Sequence, residues 1–274
     1  MARLQNWTFT LAITAISRFL ILRDRCFGRL ELTPALSDSQ VMMTAQTLRS
    51  GANTLDARFA TPIETPATAA VLVCHGIGET VEHWDATQRL LAQNGVASLV
   101  FNYSGYGRST GWITPGNCEA DALVAFEFLR ELAGPVPISI LGYSLGSGVA
   151  TAIASRVEPT KLILCAAYTS LREAAASVGV PSLFTRLLPA IWTNADSLRT
   201  CKIPVLVVHG EADRLFPPQM ARDLERACNS KCEVFVVPGL THNEPIYRPQ
   251  LLYWSFVISR IQDESAACKP ATLA

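Results

Sequence analysis

Within "LGYSLGSGVA", residues 141–150, Gly142, Tyr143, Ser144, Leu145 and Gly146 spell G-x-S-x-G. This spacing suits a crowded turn from strand to helix, where small flanking residues let the backbone bend sharply and push a serine hydroxyl outward for attack. A serine at its ordinary pKa is a poor nucleophile, so it needs a base within hydrogen-bond reach and an acid to orient that base. The chain has four histidines, His75, His83, His209 and His242. His75 and His209 each close an apolar run and precede a glycine, which suits shaping a loop. His83 sits between Glu82 and Trp84 at a helix start and reads as a surface residue. His242, in "PGLTHNEP" after the last apolar run, is the candidate base. Asp213, in "HGEADRLFPP", is the candidate acid, with Glu211 in the same loop and Asp196 further back as competitors. Attack on a carbonyl also needs N–H donors aimed at the developing oxyanion, each worth about 2.7–4 kcal/mol. The backbone N–H groups of Leu145, next after the serine, and Ile77, next after His75-Gly76, are the candidates, although "HGIGE" would also serve as an ordinary glycine turn.

The same stretch reads as G-x-x-x-G-x-G through Gly142, Gly146 and Gly148, a spacing similar to the cofactor loop of short-chain dehydrogenases. A dinucleotide loop, however, follows the first strand of its parallel unit, with an acidic residue about twenty positions on to hold the ribose. Here two strand–helix units come first, and Lys161, Leu162 and Ile163 occupy the acidic position. No tyrosine is followed four residues later by lysine, the pair those enzymes use. A hydroxyl presented for attack is the better reading, and no cofactor or metal is expected.

These residues must be positioned by a fold, and the composition permits a large one. Over 274 residues, 49% are hydrophobic and 17% charged, which describes a globular chain with a sizeable core. Lys plus Arg and Asp plus Glu are both 23, so no net field would draw the chain to nucleic acid, and no nucleic-acid partner is expected. Residues 40–60 read as two strands around a Ser50-Gly51-Ala52-Asn53 turn, an antiparallel hairpin. Continuous apolar runs follow at 69–74, 96–101, 136–142, 161–167, 205–210 and 232–239, typical of strands covered on both faces. Helical patterns separate them, with Asn117 expected as an N-cap and Gly95 and Gly134 as helix stops. That alternation predicts an α/β fold with a mostly parallel sheet, an N-terminal antiparallel hairpin and helices on both faces. Ligands of such sheets bind beyond the carboxyl ends of the strands, where Ile77, Ser144, Asp213 and His242 all fall. Residues 171–200 break the rhythm, and Pro181 and Pro189 divide them into a small helical cap. Leu183, Phe184, Leu187, Leu188, Ile191 and Trp192 would line an apolar acyl pocket there or cover the sheet, with Phe184, Leu188 and Trp192 the substrate-binding candidates.

The chain divides into an N-terminal helical segment (1–39), a main domain (40–265) that contains the cap, and a C-terminal tail (266–274). Trp7–Leu22 is too short and too interrupted by Arg18 to span a bilayer. Trp7, Phe9, Ile13, Ile16 and Leu20 recur at helical spacing and arginines follow, a pattern suited to peripheral membrane contact or to packing on the protein's own surface. The eight cysteines show no C-x-x-C pairing, and those in "VLVC" and "LILC" read as small buried hydrophobes. A reducing, cytoplasmic setting is the expectation, with an unrecognised disulfide as the alternative.

Taken together, "HGIGE", "NYSGYGRSTG", "GYSLGS", "PVLVVHGEADRLFP" and "VPGLTHNEP" resemble the α/β-hydrolase superfamily in order and spacing, from Gln40 to Ile261, and the order Ser144, Asp213, His242 is the one these hydrolases use. The detail is most similar to small-cap serine hydrolases of the Bem46-like, protein depalmitoylase-like and serine aminopeptidase-like group. The resemblance implies an acyl-enzyme mechanism without a cofactor, acting on a small-molecule or lipid-like acyl substrate or an acylated protein, and an N-terminal membrane segment in many members. It also leaves room for a hydrolase fold kept as an idle binding protein. Two motifs depart from the pattern. Ile77 stands where asparagine is usual, and Asn102 and Ser104 replace the charged pair of D-Y-R-G-Y-G, which puts that loop's ion pair in doubt and leaves Arg108 as an anion contact or a solvated residue.

Overall fold

The apolar pattern changes at residue 69, and the sheet changes direction with it. The structure, a computed structural model, describes residues 9–10, 40–249 and 251–263. Strands β1 (Val41–Ser50) and β2 (Asn53–Pro62) alternate between buried and exposed positions and pair antiparallel from Val41↔Pro62 to Ser50↔Asn53. Gly51 turns the hairpin at φ 56°, a left-handed conformation that glycine adopts without a Cβ penalty. Strands β3 (Ala69–Cys74), β4 (Val96–Phe101), β5 (Ile138–Tyr143), β6 (Lys161–Cys165) and β7 (Val205–Gly210) are buried along their whole length. With β8 (Cys232–Val237) they form the parallel part of one sheet ordered β1-β2-β4-β3-β5-β6-β7-β8. Strand β8 is half-buried throughout because it is the sheet's edge, so its apolar run does not mark full coverage.

Successive residues of a strand point to opposite faces, and the two faces carry separate cores. Leu72, Leu99, Ile140, Leu162 and Val207 pack against α2 (Pro115–Ala133), α3 (Leu145–Val157) and α7 (Gln219–Ala227). Val71, Val73, Val100, Leu141, Ile163 and Val208 pack against α1 (Asp85–Gln93) and α9 (Leu252–Gln262), where Trp254 is fully buried. A 3-10 turn (Val81–Trp84) leads into α1, and α8 (Glu244–Tyr247) follows the His242 loop. Between β6 and β7, residues 171–200 hold α4 (Leu171–Ser177), α5 (Ser182–Thr185) and α6 (Asn194–Arg199), three short helices with Pro181 and Pro189 between them.

Gly134 and Gly95 follow α2 and α1 at φ 71° and 78°, as helix stops should. The expected N-cap at Asn117 is displaced. Helix α2 starts one turn earlier, with Thr114 as N-cap and Pro115 in the first turn, and the Thr114 hydroxyl accepts from the N–H of Asn117 at 3.1 Å. Proline lacks an N–H and presets a helical φ, so it favours the first turn and moves the cap upstream of Asn117.

Of the N-terminal segment, Phe9 and Thr10 are described. Phe9 is buried edge-on against Trp192 at 5.4 Å between ring centroids, and Thr10 donates to the carbonyl of Ile113 at 2.7 Å. At these two residues the segment packs on the domain beside the cap. The rest of 7–22 and the 266–274 tail lie outside the described residues. Among the described residues no helix is long and apolar enough to cross a membrane. Replacing Thr114 by Ala should cost about 1 kcal/mol in urea unfolding, the usual loss for an N-cap, and Asn117→Ala clearly less. Equal losses from the two substitutions would contradict the assigned cap.

Candidate active site

Strand β5 turns into α3 at Ser144, which takes φ 50° and ψ −118°, a conformation that L side chains rarely adopt. Holding a serine there costs on the order of 1–3 kcal/mol, so the surroundings must impose it. The Ser144 N–H donates to the carbonyl of Cys165 at 2.9 Å, and the Ser144 carbonyl accepts from the N–H and hydroxyl of Ser147 at 3.0 and 2.7 Å. The glycines are steric requirements. A Cβ on Gly146 would lie 1.9 Å from the carbonyl oxygen of Cys74, and one on Gly142 would lie 2.6 Å from the carbonyl oxygen of Gly146. Gly148 likewise faces the Tyr168 hydroxyl at 2.1 Å from its missing Cβ. All three glycines of the dinucleotide-like spacing are thus filled by the protein's own atoms, and none faces space for a pyrophosphate.

The loops after β5, β7 and β8 bring three side chains into line. His242 Nε2 lies 3.0 Å from Ser144 Oγ, and His242 Nδ1 lies 2.6 Å from Asp213 Oδ2. With Nδ1 protonated toward the carboxylate, the Nε2 lone pair faces the serine hydroxyl, the tautomer a general base needs. All three residues are buried. Asp213 Oδ1 accepts from the N–H groups of Leu215 and Phe216 at 2.8 and 2.9 Å. Burial alone would push its carboxyl up. Hydrogen bonds from His209 and His242, the charge of His242 and the Phe216 N–H outweigh that and hold it well below the usual carboxylate range. The Tyr143 hydroxyl donates to the carbonyl of His242, and the Phe216 ring stands edge-on to the imidazole at 5.1 Å.

The competing residues are engaged elsewhere. Glu211 is exposed and accepts from the N–H of Gly239 at 3.2 Å, and Asp196 pairs with Arg199 at 3.6 Å on the surface of α6. His83 takes part in the Thr80 capping box, its Nδ1 accepting from the Thr80 N–H at 3.1 Å. His75 is fully buried against Tyr103, with Nδ1 2.8 Å from the Gly76 carbonyl, and burial lowers its pKa to about 4.

Gly76 packs against the serine, since a Cβ there would lie 3.2 Å from Ser144 Cβ. Ile77 is the next residue of that loop. Leu145 opens α3, where N–H groups have no carbonyl one turn back to bind. Glu79 fixes the loop from below, its Oε2 accepting from Gly76 N–H and Trp84 Nε1–H, each at 2.9 Å. Burial raises the Glu79 carboxyl to about 7, against the opposing effect of those two hydrogen bonds.

In the loop that lacks the charged pair, neutral donors bond to the carboxylates of Asp56 and Asp121. Asn102 accepts from Val81 N–H at 3.0 Å and donates to Asp56 at 3.0 Å, while the Ser104 N–H donates to Asp121 at 2.7 Å. Arg108 faces Asp56 and Glu82 at 3.3 and 3.4 Å across an exposed surface, so its charge is already shared with two carboxylates. The three substrate-binding candidates occupy different settings. Phe184 is 57% exposed, Leu188 is half-buried with its carbonyl accepting from Arg172, and Trp192 is 5% exposed. The Trp192 indole donates to Glu119 at 3.2 Å and packs on Gly148 and Phe9, which makes it part of the core under the cap.

Three contributors were not singled out from the sequence. His209 Nε2 lies 2.9 Å from the Phe216 carbonyl and 3.3 Å from Asp213 Oδ2, so it supports the acid as well as its loop. Its four-residue spacing from Asp213 was the available signal. Phe216 and Glu79 offered none beyond their closeness to Asp213 and to His75-Gly76.

Comparison with known proteins agrees with this fold. The alpha/beta hydrolase fold family matches residues 69–177, and the serine aminopeptidase family matches residues 170–244. The chain has the α/β-hydrolase fold and resembles that superfamily over these two stretches. It is 34% identical over 179 residues to an uncharacterized protein of Mycobacterium tuberculosis, covering 64% of this chain and 63% of that protein. It is 31% identical over 183 residues to the lysophosphatidylserine lipase ABHD12 of Danio rerio, covering 59% of this chain and 48% of the lipase. The chain thus spans less than two thirds of the length of these relatives. Est1E of Butyrivibrio proteoclasticus, solved with ferulic acid bound, shares the fold at a TM-score of 0.65 and 20% identity, covering 80% of this chain and 96% of Est1E.

The raised Glu79 carboxyl has a consequence for stability. An unfolded glutamate titrates near about 4.3. Its contribution is full below that value and is lost as pH rises through the folded value of about 7. Glu79→Gln keeps an oxygen for both donors and cannot ionise, so thermal melts should show it gaining on the parent by about 3 kcal/mol between pH 4 and pH 8. A difference that does not change with pH would contradict this environment for Glu79.

Proposed function

We propose that the protein is a serine hydrolase that cleaves a carboxylic ester or thioester through an acyl-Ser144 intermediate. The observation that carries this reading is the continuous line from Ser144 Oγ through His242 to Asp213, at 3.0 and 2.6 Å, at the carboxyl edge of a parallel sheet. As Ser144 Oγ bonds to the substrate carbonyl carbon, His242 Nε2 takes the hydroxyl proton. The carbonyl oxygen, now an oxyanion, is received by the N–H groups of Ile77 and Leu145. Collapse of the tetrahedral intermediate breaks the bond to the leaving group, which departs with the proton from His242. Water then repeats the sequence on the acyl-serine and releases the acid. Asp213 remains ionised and stabilises the imidazolium in both halves.

An apolar acyl chain is the favoured substrate feature. Leu183, Phe184 and Leu187 of the cap are exposed hydrophobic side chains, and a lipid-like ester or an acylated protein would suit them. The relationship to a lysophosphatidylserine lipase supports a lipid-like ester. The serine aminopeptidase match, which spans both Asp213 and His242, favours a second reading in which the scissile bond is an amide. The chemistry would differ only in that His242 must protonate an amine before it leaves.

Ser144→Ala should abolish both labelling by a fluorophosphonate probe and hydrolysis of p-nitrophenyl esters. Asp213→Asn should keep the fold and lower kcat by about 10⁴-fold. A chain-length series of esters, run beside acyl-thioesters and aminoacyl amides, separates the two readings. A folded wild-type protein that neither labels nor turns over any of them would instead be a binding protein on a hydrolase fold.

A further inference from the structure

The cap reaches the nucleophile through one buried amide. Asn194, the first residue of α6, is fully buried, and its Nδ2 donates to the Tyr168 carbonyl at 2.9 Å and to Ser147 Oγ at 3.3 Å. A carbonyl only accepts, so the atom facing Tyr168 is the amide nitrogen, and both of its hydrogens are used. Ser147 is fully buried in the first turn of α3. Its hydroxyl has one hydrogen and accepts from Asn194, which leaves that hydrogen for the Ser144 carbonyl, 2.7 Å away. The Ser147 N–H donates to the same carbonyl at 3.0 Å. The start of α6 is anchored to the loop after β6, where the Ala195 N–H donates to the Thr169 carbonyl at 3.0 Å. Asn194 Oδ1 is buried without a hydrogen-bond partner among the described residues, so the amide is placed for its two donors.

We infer that Asn194 is a positioning residue for the oxyanion donor of Leu145 and acts through Ser147. The Ser144 carbonyl and the Leu145 N–H belong to one peptide unit, planar and trans, so its oxygen and its hydrogen point in opposite directions. Two donors from Ser147 on the oxygen therefore fix the direction of the hydrogen. On the acyl-serine reading above, on which this inference rests, that hydrogen receives the oxyanion. The anchor matters because Ser144 lies at φ 50° and ψ −118°, outside the regions that L residues favour, and the peptide plane would turn if released. A donor to the carbonyl also polarises the peptide and strengthens its N–H as a donor. The benefit falls where negative charge develops on the substrate, so it acts on turnover more than on substrate binding. Asn194 thus makes the cap part of the nucleophile corner.

Hydrolysis of p-nitrophenyl esters by the full chain carrying Asn194→Leu, Ser147→Ala or both tests this, with the limiting rate of fluorophosphonate labelling as a second readout. Each single variant should lower both rates by at least about tenfold and leave KM within about twofold, since outright loss of an oxyanion donor costs more than that. The double variant should be no slower than Ser147→Ala alone, because Asn194 acts through that hydroxyl. A merely structural role would instead give losses that multiply. Thermal melts show whether the variants are folded, and if Asn194→Leu does not fold, Ser147→Ala decides alone. Unchanged rates in folded Ser147→Ala, multiplied losses in the double variant, or an effect confined to KM would overturn the inference and leave the hydrolase reading standing. A folded wild-type protein that neither labels nor hydrolyses any of the esters would overturn both.

Discussion

The corner at Ser144 is the constraint on which the rest of the site depends. A non-glycine residue is held at positive φ because the helix that follows it must pass directly under the end of β3, so close that Gly146 touches the carbonyls of Cys74 and His75. That approach joins two loops that are distant in sequence. It sets Ser144 beside Gly76, in the loop that follows β3. The strain at one residue is offset by the packing of two fully buried strands and a helix buried through its first two turns.

Electrostatics at the other side of the hydroxyl are arranged with equal economy. Asp213 is buried, a costly position for a charge, yet each of its oxygens is occupied: Oδ1 by two backbone N–H groups, Oδ2 by His242 and His209. Those bonds keep it ionised and fix the imidazole by one nitrogen, leaving the other for the serine. Glu79 is the counter-example beneath the Gly76 loop. Burial raises its carboxyl against the opposing pull of two donors, and among the described residues it has no ion pair. Two buried carboxyl groups near one another thus shift in opposite directions, Asp213 because its partners outweigh burial and Glu79 because burial outweighs its partners.

Much of this could be read from the chain, for identifiable reasons. Continuous apolar runs gave strands β3, β4 and β7 to the residue, because strands buried on both faces have no polar side to blur their limits. Strand β8 carried the same signal but lies at the edge, a topological fact that hydrophobicity does not encode. Ser144, Asp213 and His242 stood out because only four histidines compete and strand ends point to one rim. The N-cap of α2 was misplaced because Thr114 and Asn117 are both capping residues, and the intervening proline decides between them. Trp192 was legible as apolar but not as to its direction. At φ 48° its indole is carried into the core against Phe9, a residue more than 180 positions away. The contribution of His209 was hidden for a similar reason, since a histidine that donates to an acid has no composition of its own.

The central claim is that Ser144, His242 and Asp213 form one proton-transfer line facing two backbone donors. A crystal structure of the protein after reaction with an alkyl phosphonate tests it most directly. The phosphorus should be bonded to Ser144 Oγ, one phosphoryl oxygen should lie about 2.7–3.1 Å from the nitrogens of both Ile77 and Leu145, and His242 should keep its bond to Asp213. Phosphorus bonded to any other residue, or a phosphoryl oxygen turned away from both nitrogens, would contradict the account.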